Sequence, residues 1–484
     1  MSSSPSSAPL LNTPKNLSFS EVILEIKMLF SIALPLILTG LLIYSKSFIS
    51  MLFLGKLGKD ALAGGSLAIG IANITGYSVI SGLALGMDAI SSQAFGAKQW
   101  PLITQTLIRT TVTLLLASLP ISLLWLNIRP VLLFFDQDPA VSTVAAAYLA
   151  FAVPDLFFHS LINPLKIYFR SQNITAPLML SAAAALAFHA PANYLLSGLG
   201  VRGVAVAASF TDMILLAALA AHLCFCRLPP AAAAAVNILR CGFDHEWRSV
   251  LNLAVPSCLS VCLEWWWYEL MILLSGILAD AADAVAAMGI LLQATSLVYI
   301  FPSALGLAAS TRVGNELGAN RPGKARATAH IAVSCAVAAS LIAAAVMVAL
   351  RAAWGAAFTD DEAIIALTAA AMPVVGLCEL GNCPQTTGCG VLRGSARPGL
   401  GVQINLGSFY AVGLPLAVFL GFVMKLGLLG LWLGLLGAQL ICAVLMIWAL
   451  RRTDWILQVK RARELIGIGV QCHGEERNQV STLP

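Results

Sequence analysis

SQAFGAKQ, residues 92 to 99, and GNELGANR, residues 314 to 321, lie in opposite halves of a 484-residue chain with their Gly-Ala pairs 222 positions apart. Four more pairs of stretches keep a similar offset and the same order. Pro35 in IALPLILTG answers Pro256 in LAVPSCLS, and Pro154 in FAVPDL answers Pro373 in AAMPVVGL. FRSQNITAP at 169–177 faces LRGSARPG at 392–399, and LGVRGVAVA at 199–207 faces LGLLGLWLG at 426–434. Each match is short, but five in one order mark an internal duplication.

The repeated unit is made for lipid. The chain is 59% hydrophobic and 11% charged, too little charge to cover a soluble globule of this size. Segments of about 20 apolar residues can cross the hydrocarbon. Twelve are found, near 29–50, 62–88, 104–125, 144–164, 177–197, 203–225, 248–274, 285–309, 330–352, 363–385, 400–422 and 429–449. The expected fold is an all-α polytopic membrane protein with 12 transmembrane helices in two homologous six-helix bundles. Because each half holds an even number of spans, both halves share one orientation and a pseudo-two-fold axis along the membrane normal.

The basic residues assign the sides. With a cytosolic N-terminus, cytosolic segments and the span ends beside them carry 21 of the 28 Lys and Arg, which fits the positive-inside rule with both termini in the cytosol. The expected organisation is a disordered cytosolic tail at 1–27, a first bundle at 28–225, a cytosolic linker at 226–247, a second bundle at 248–450 and a cytosolic tail at 451–484. The linker's alanine run reads equally as a short surface helix or as low-complexity chain. The Ser/Pro-rich first 20 residues have no apolar core of the kind a secretory signal needs.

Several function classes lose support. There is no GxxxxGK[ST] phosphate loop, no soluble domain to carry one, and no repeated filter-like carbonyl loop. The eleven cysteines and six histidines show no metal-ligand spacing, so no metal, cofactor or disulfide framework is expected. His159 and His189 lie in spans four and five, where hydrogen-bonded packing is the plainer reading. Two related bundles flanking a cavity suit a secondary transporter, not an enzyme.

CLEWWWYELMIL, residues 262 to 273, places Glu264 and Glu269 inside a span. Protonated, a carboxylate can be buried there at modest cost; ionised, it wants water or a cation, so it suits a group that exchanges a proton in each cycle. The plainer reading is a glutamate satisfied by a hydroxyl or a Trp N–H. Glu269 is about 140° round the helix at ~3.6 residues per turn, so the two are not expected to point squarely into one narrow site. The three tryptophans splay around the helix. Trp265, Trp266, Tyr268, Asn73, Lys46 and Tyr299 are the candidate cavity residues, with an aromatic face suited to a flat or cationic solute. Tyr268, one turn after Glu264, is placed to donate to it.

QAFGAKQ, AASTRVGNELGA at 308–319 and GVLRGSARPGLGVQINLGSFYAVGLP at 390–415 resemble the multidrug and toxic compound extrusion family, particularly its plant, DETOXIFICATION-type branch, over residues 25 to 450. The resemblance implies a cation-coupled antiporter, in plants usually proton-driven, exporting organic solutes from the cytosol. It also implies a cation-responsive carboxylate eight residues after the proline of the seventh helix, which here is Glu264, and a functional position at Glu269.

In the tenth helix the usual acidic position of the plant pattern falls on Asn382, while Glu379 lies three residues earlier on nearly the same face. Glu379 is thus expected to take the proton role, with Asn382 as its hydrogen-bond partner. The bacterial pattern's first-helix aspartate falls on Ser50, which speaks against coupling centred on the N-terminal bundle. Asp88 matches an acidic position of the plant pattern; its rival reading is a charge holding the second helix against the Lys98 loop. Lys46 either snorkels to the far interface or faces the cavity, where it would favour an anion. Arg312, Asn315 and Glu316 are expected to fix the cytosolic gate.

ELGNCPQTTGCG, residues 379 to 390, resembles a branch associated with hormone-like solutes, abscisic acid among them, and with growth and iron or stress phenotypes. The expected partners are a small organic solute, protons and the lipid bilayer, with no nucleic acid and a monomeric state; plasma membrane is favoured over vacuole or other endomembranes. The alternative is a passive facilitator or channel for a small solute or anion.

Overall fold

The computed structural model describes residues 18–225 and 245–467. The anticipated tail before residue 18, most of the linker and the tail beyond 467 lie outside the described residues. Within them, twelve helices are long and apolar enough to cross a bilayer. They are α1 (Phe19–Lys56), α2 (Lys59–Gly96), α3 (Trp100–Leu126), α4 (Pro139–Ser171), α5 (Ala176–Leu199), α6 (Val201–Phe225), α7 (Trp247–Ser275), α8 (Ala281–Gly318), α9 (Pro322–Ala356), α10 (Glu362–Gly394), α11 (Pro398–Val423) and α12 (Gly427–Arg451). A shorter helix, α13 (Trp455–Leu465), follows.

Two boundaries correct the sequence reading. Helix α1 starts at Phe19, inside the segment expected to be tail, because Ser18 and Glu21 form a reciprocal capping box that satisfies its first N–H groups. The C-terminal segment is likewise not plain tail from 451. Asp454 accepts from the N–H groups of Ile456 and Leu457, and the helix it starts buries Trp455, Val459 and Ala462 against α8 and α9.

The first six spans form one lobe and the last six another. In each, a central helix packs on three neighbours: α4 on α2, α3 and α6, and α10 on α8, α9 and α12. These central helices carry the repeat-related prolines Pro154 and Pro373. The lobes meet where α1 and α2 lie against α7 and α8.

With an even number of spans, the described chain begins and ends on one face, called here the terminal face. There the lobes are sealed by the two stretches that revealed the duplication. A Cβ on Gly96 would strike the backbone of Asn315, and one on Gly318 the backbone of Gln93. Only glycine lets the helix ends approach so closely. Gln93 Nε2 donates to the Gly394 carbonyl at 2.9 Å, and Arg312 grips Glu25 through Nε and Nη2 at 3.1 and 2.9 Å. Arg312 also reaches Glu316 at 3.1 Å, and Thr328 donates to Glu25 at 2.7 Å. The foot of α1 is thus tied to the opposite lobe.

Candidate functional site

Between the lobes, in the half of the bundle away from the terminal face, lies a cavity of about 430 Å³. Helix α7 presents Glu264, Trp265, Tyr268, Glu269 and Ile272 to it; α8 presents Leu292, Gln293, Thr295, Ser296 and Tyr299; α2 contributes Asn73 and Ile74. The spacing follows from helical period, since Glu264, Tyr268 and Ile272 fall every fourth residue along one stripe. Asn73 and Ile74 open a wider, π-helical turn at Asn73–Tyr77, which re-aims α2 at the cavity wall.

Glu264 and Glu269 both line this space, contrary to the expectation for a narrow site, because the cavity spans a broad arc of α7. Glu264 sits on its inner wall facing Tyr299 and Gln385, and its Oε1 is buried with no hydrogen-bond partner. The phenol turned toward Glu264 is thus Tyr299 from α8, while Tyr268 turns to Thr295. Glu379 is buried behind the wall, where Asn382 Nδ2 donates to its Oε2 at 2.9 Å and Cys383 Sγ lies at 3.7 Å.

A chain of polar side chains joins the two carboxylates. Thr386 Oγ1 lies 3.4 Å from Asn382 Oδ1 and 3.2 Å from Gln385 Oε1. Gln385 faces Glu264 and also donates to Asn405 Oδ1 at 3.3 Å. All four of Asn382, Gln385, Thr386 and Asn405 are buried, so their hydrogen bonds are made with one another rather than with bulk water.

The tryptophans have three separate fates. Trp265 lines the cavity, while Trp267 is buried in the C-terminal lobe against Phe409 and Tyr410. Trp266 corrects its assignment to the cavity: it is 42% exposed, and its Nε1 donates to the Ile74 carbonyl across the lobe boundary at 3.3 Å.

Lys46 is corrected too. Helix α1 continues to Lys56, so Lys46 is deeper from the far interface than the shorter span implied. It pairs with Asp212 on α6, Nζ to Oδ2 at 2.7 Å, and is not on the cavity wall. The same Asp212 oxygen lies 3.1 Å from His159 Nε2, which stands 3.7 Å from Asp155 Oδ2. Tyr77 donates to Asp155 at 2.6 Å. Asp155, His159 and Asp212 have the donor types and closeness of a metal site. The Lys46 ammonium matches the charge of one of the two carboxylates, Asp212. Asp212 escaped the sequence reading, although an acid inside span six, SFTDMIL, was itself a signal.

Asp88 is away from the cavity and fully buried. Its partner is Arg170 on α4, at 2.7 Å, and Ser310 Oγ of the other lobe donates to it at 2.7 Å. The counter-charge is thus Arg170 and not the Lys98 loop, and both groups of the pair lie at the sealed seam. His189 is held by Ser50 at 3.0 Å and Thr211 at 2.7 Å.

The family model for MatE matches residues 35–195 and again 256–419, one copy in each lobe, the two starting at Pro35 and Pro256. Protein DETOXIFICATION 48 of Arabidopsis thaliana is 54% identical over 93% of this chain and 84% of its own length. Protein DETOXIFICATION 49 of Arabidopsis thaliana is 52% identical over 96% of this chain and 92% of its own. Among solved structures, the eukaryotic MATE transporter AtDTX14 superposes with a TM-score of 0.85 at 29% identity, covering 92% of this chain and 99% of that one.

Proposed function

The chain belongs to the multidrug and toxic compound extrusion family, membrane carriers that export small organic solutes, and on that premise we propose that it couples export to protons by alternating access. The observation that carries the coupling is the Glu264 carboxylate at the cavity wall, which faces the neutral Tyr299 and Gln385 and keeps one oxygen, Oε1, buried without a hydrogen bond. A buried carboxylate with an oxygen left unsatisfied is costly when charged and tolerable when protonated. Glu264 therefore holds a proton while the wall is dry and releases it when water or a cationic solute arrives. The chain of Gln385, Thr386 and Asn382 supplies a route between Glu264 and Glu379. Proton and solute then compete for one wall, which is the condition for exchange.

The cavity wall carries two carboxylates and no basic side chain, which supports an aromatic solute that is cationic or neutral. A carboxylic-acid hormone such as abscisic acid would cross as the neutral acid or with both glutamates protonated. Cytosolic termini, a plasma-membrane location and a monomeric carrier complete the reading. The cluster of Asp155, His159, Asp212 and Lys46 favours a second reading, in which coupling is held in the N-terminal lobe: Asp155 Oδ1 is likewise buried without a partner.

The test is uptake into inside-out proteoliposomes under an imposed pH gradient, with a cationic dye, a flavonoid glycoside, citrate and abscisic acid as solutes. Gradient-driven flux lost in Glu264→Gln and kept in Asp155→Asn supports the first reading. The reverse pattern moves coupling to the N-terminal lobe. Flux that ignores the gradient in the unaltered protein makes it a passive facilitator.

A further inference from the structure

Helix α13 packs on α8 and α9 at the terminal face, and the side chains near it are basic. Arg397, between α10 and α11, is half-buried and fixed by two hydrogen bonds, Nε to Ser395 Oγ at 3.2 Å and Nη2 to Thr453 Oγ1 at 3.0 Å. Its charged neighbour is Arg461 of α13. Burial first, and Arg461 second, hold the Arg397 guanidinium down at about 10. Arg326 and Arg451 are both charged neighbours of His330 near the start of α9. Among the described residues none of these four arginines has an acidic partner.

A half-buried arginine held next to another arginine, with no acid beside either, is an arrangement that repels itself. An anion held between the two would relieve the repulsion. The position of the patch says which anion. Arg451 ends the last apolar span, the Arg452 guanidinium lies 5.5 Å from the Trp448 ring centre, and Ile456 and Leu457 of α13 are exposed beside it. Tryptophan at the end of a span and a short helix with both basic and apolar exposed residues are the features of a headgroup-level segment. Arginine in turn suits phosphate, which it can grip with paired N–H donors.

We propose that Arg397 and Arg461, with Arg326 and Arg451 at the rim, form a binding site for the phosphate of an anionic phospholipid in the leaflet at the terminal face. Bound there, the lipid bridges the α10–α11 connection to α13, and α13 in turn leans on α8 and α9 of the C-terminal lobe. The site is independent of the coupling carboxylates, so it stands or falls apart from the transport reading.

The experiment is native mass spectrometry of the full chain, released from phosphatidylcholine nanodiscs with and without phosphatidic acid. It is paired with the thermal midpoint of the protein in detergent carrying the same lipids. The unaltered protein should retain phosphatidic acid and melt higher with it. Each basic residue near an anionic surface contributes about 1 kcal/mol, so Arg461→Gln should weaken retention about fivefold and the Arg397→Gln/Arg461→Gln pair about 25-fold. Arg461 is exposed, so its single variant tests the site even where the pair folds poorly. Arg351→Gln, an exposed arginine on the opposite face, should change nothing. Equal losses in Arg351→Gln and Arg461→Gln would overturn the site in favour of diffuse charge, and equal stabilisation by soluble glycerol phosphate would overturn the lipid.

Discussion

Three buried acids differ in what answers their charge, and that difference decides what each can do. Asp88 has Arg170 at 2.7 Å and the Ser310 hydroxyl, so its charge is already matched. Glu379 has only neutral partners, and Glu264 faces the neutral Tyr299 and Gln385 with Arg393 as its charged neighbour and its Oε1 left without a hydrogen bond. Removing one member of a buried pair strands the other, so Asp88→Asn should cost about 3–5 kcal/mol. It should appear as a lower thermal midpoint in detergent, with the Arg170→Gln/Asp88→Asn double variant recovering part of the loss. Glu264→Gln should instead leave the midpoint near its original value and lower gradient-driven flux at least about tenfold, since the amide cannot carry the exchanged proton. Glu269→Gln keeps flux within a few-fold in the same assay, because Glu269 is only partly buried and water can answer its charge. An equal loss in both variants would mean the two carboxylates act as one unit.

At the scale of the element, α2 links both sites and the seam. Its Asn73–Tyr77 turn places Asn73 on the cavity wall and Tyr77 on Asp155, and its last turn places Gly96 against Asn315. A shift of this one helix therefore moves the cavity, the charged cluster of the N-terminal lobe and the closed face together. The glycines of the seam are its mechanical limit. A methyl group at Gly318 meets the backbone of Gln93, which cannot yield as a flexible side chain could. Gly318→Ala should push the lobes apart at the terminal face. A cysteine placed at Ser92, now buried, should then react with a maleimide several-fold faster than in the Gly318 background; unchanged labelling would show that the seam absorbs the methyl group locally.

For the whole molecule, a sealed terminal face and a cavity in the other half describe one of the two states that alternating access requires. Gln293 lines that cavity and receives a hydrogen bond from Tyr44 of the other lobe at 2.7 Å. A cysteine at Gln293 should be labelled by a membrane-impermeant reagent added at the opposite face. It should be protected when the reagent is added at the terminal face, measured above the background of the unaltered chain. Labelling from the terminal face alone would mean that the resting protein in membranes favours the other state.

The sequence by itself determined the duplication, the twelve spans and the intramembrane acids, because each rests on local composition: apolar length, a repeated offset, a charge where lipid should be. The family was legible for the same reason, in GVLRGSARPG and its neighbours. Helix periodicity put Glu264 and Tyr268 on one stripe of α7, yet it did not show that Tyr299, 35 positions further on, would be the phenol facing Glu264. Pairing across helices was decided only by the tertiary structure. Lys46 meets Asp212 from 166 positions away and Asp88 meets Arg170 on another helix, because the packing of the six spans of the first lobe brings side chains together by depth and rotation, quantities no local window contains. The same packing separated Trp265, Trp266 and Trp267 into cavity, boundary and core, and turned two motifs that looked like a repeat into the surfaces that close on each other.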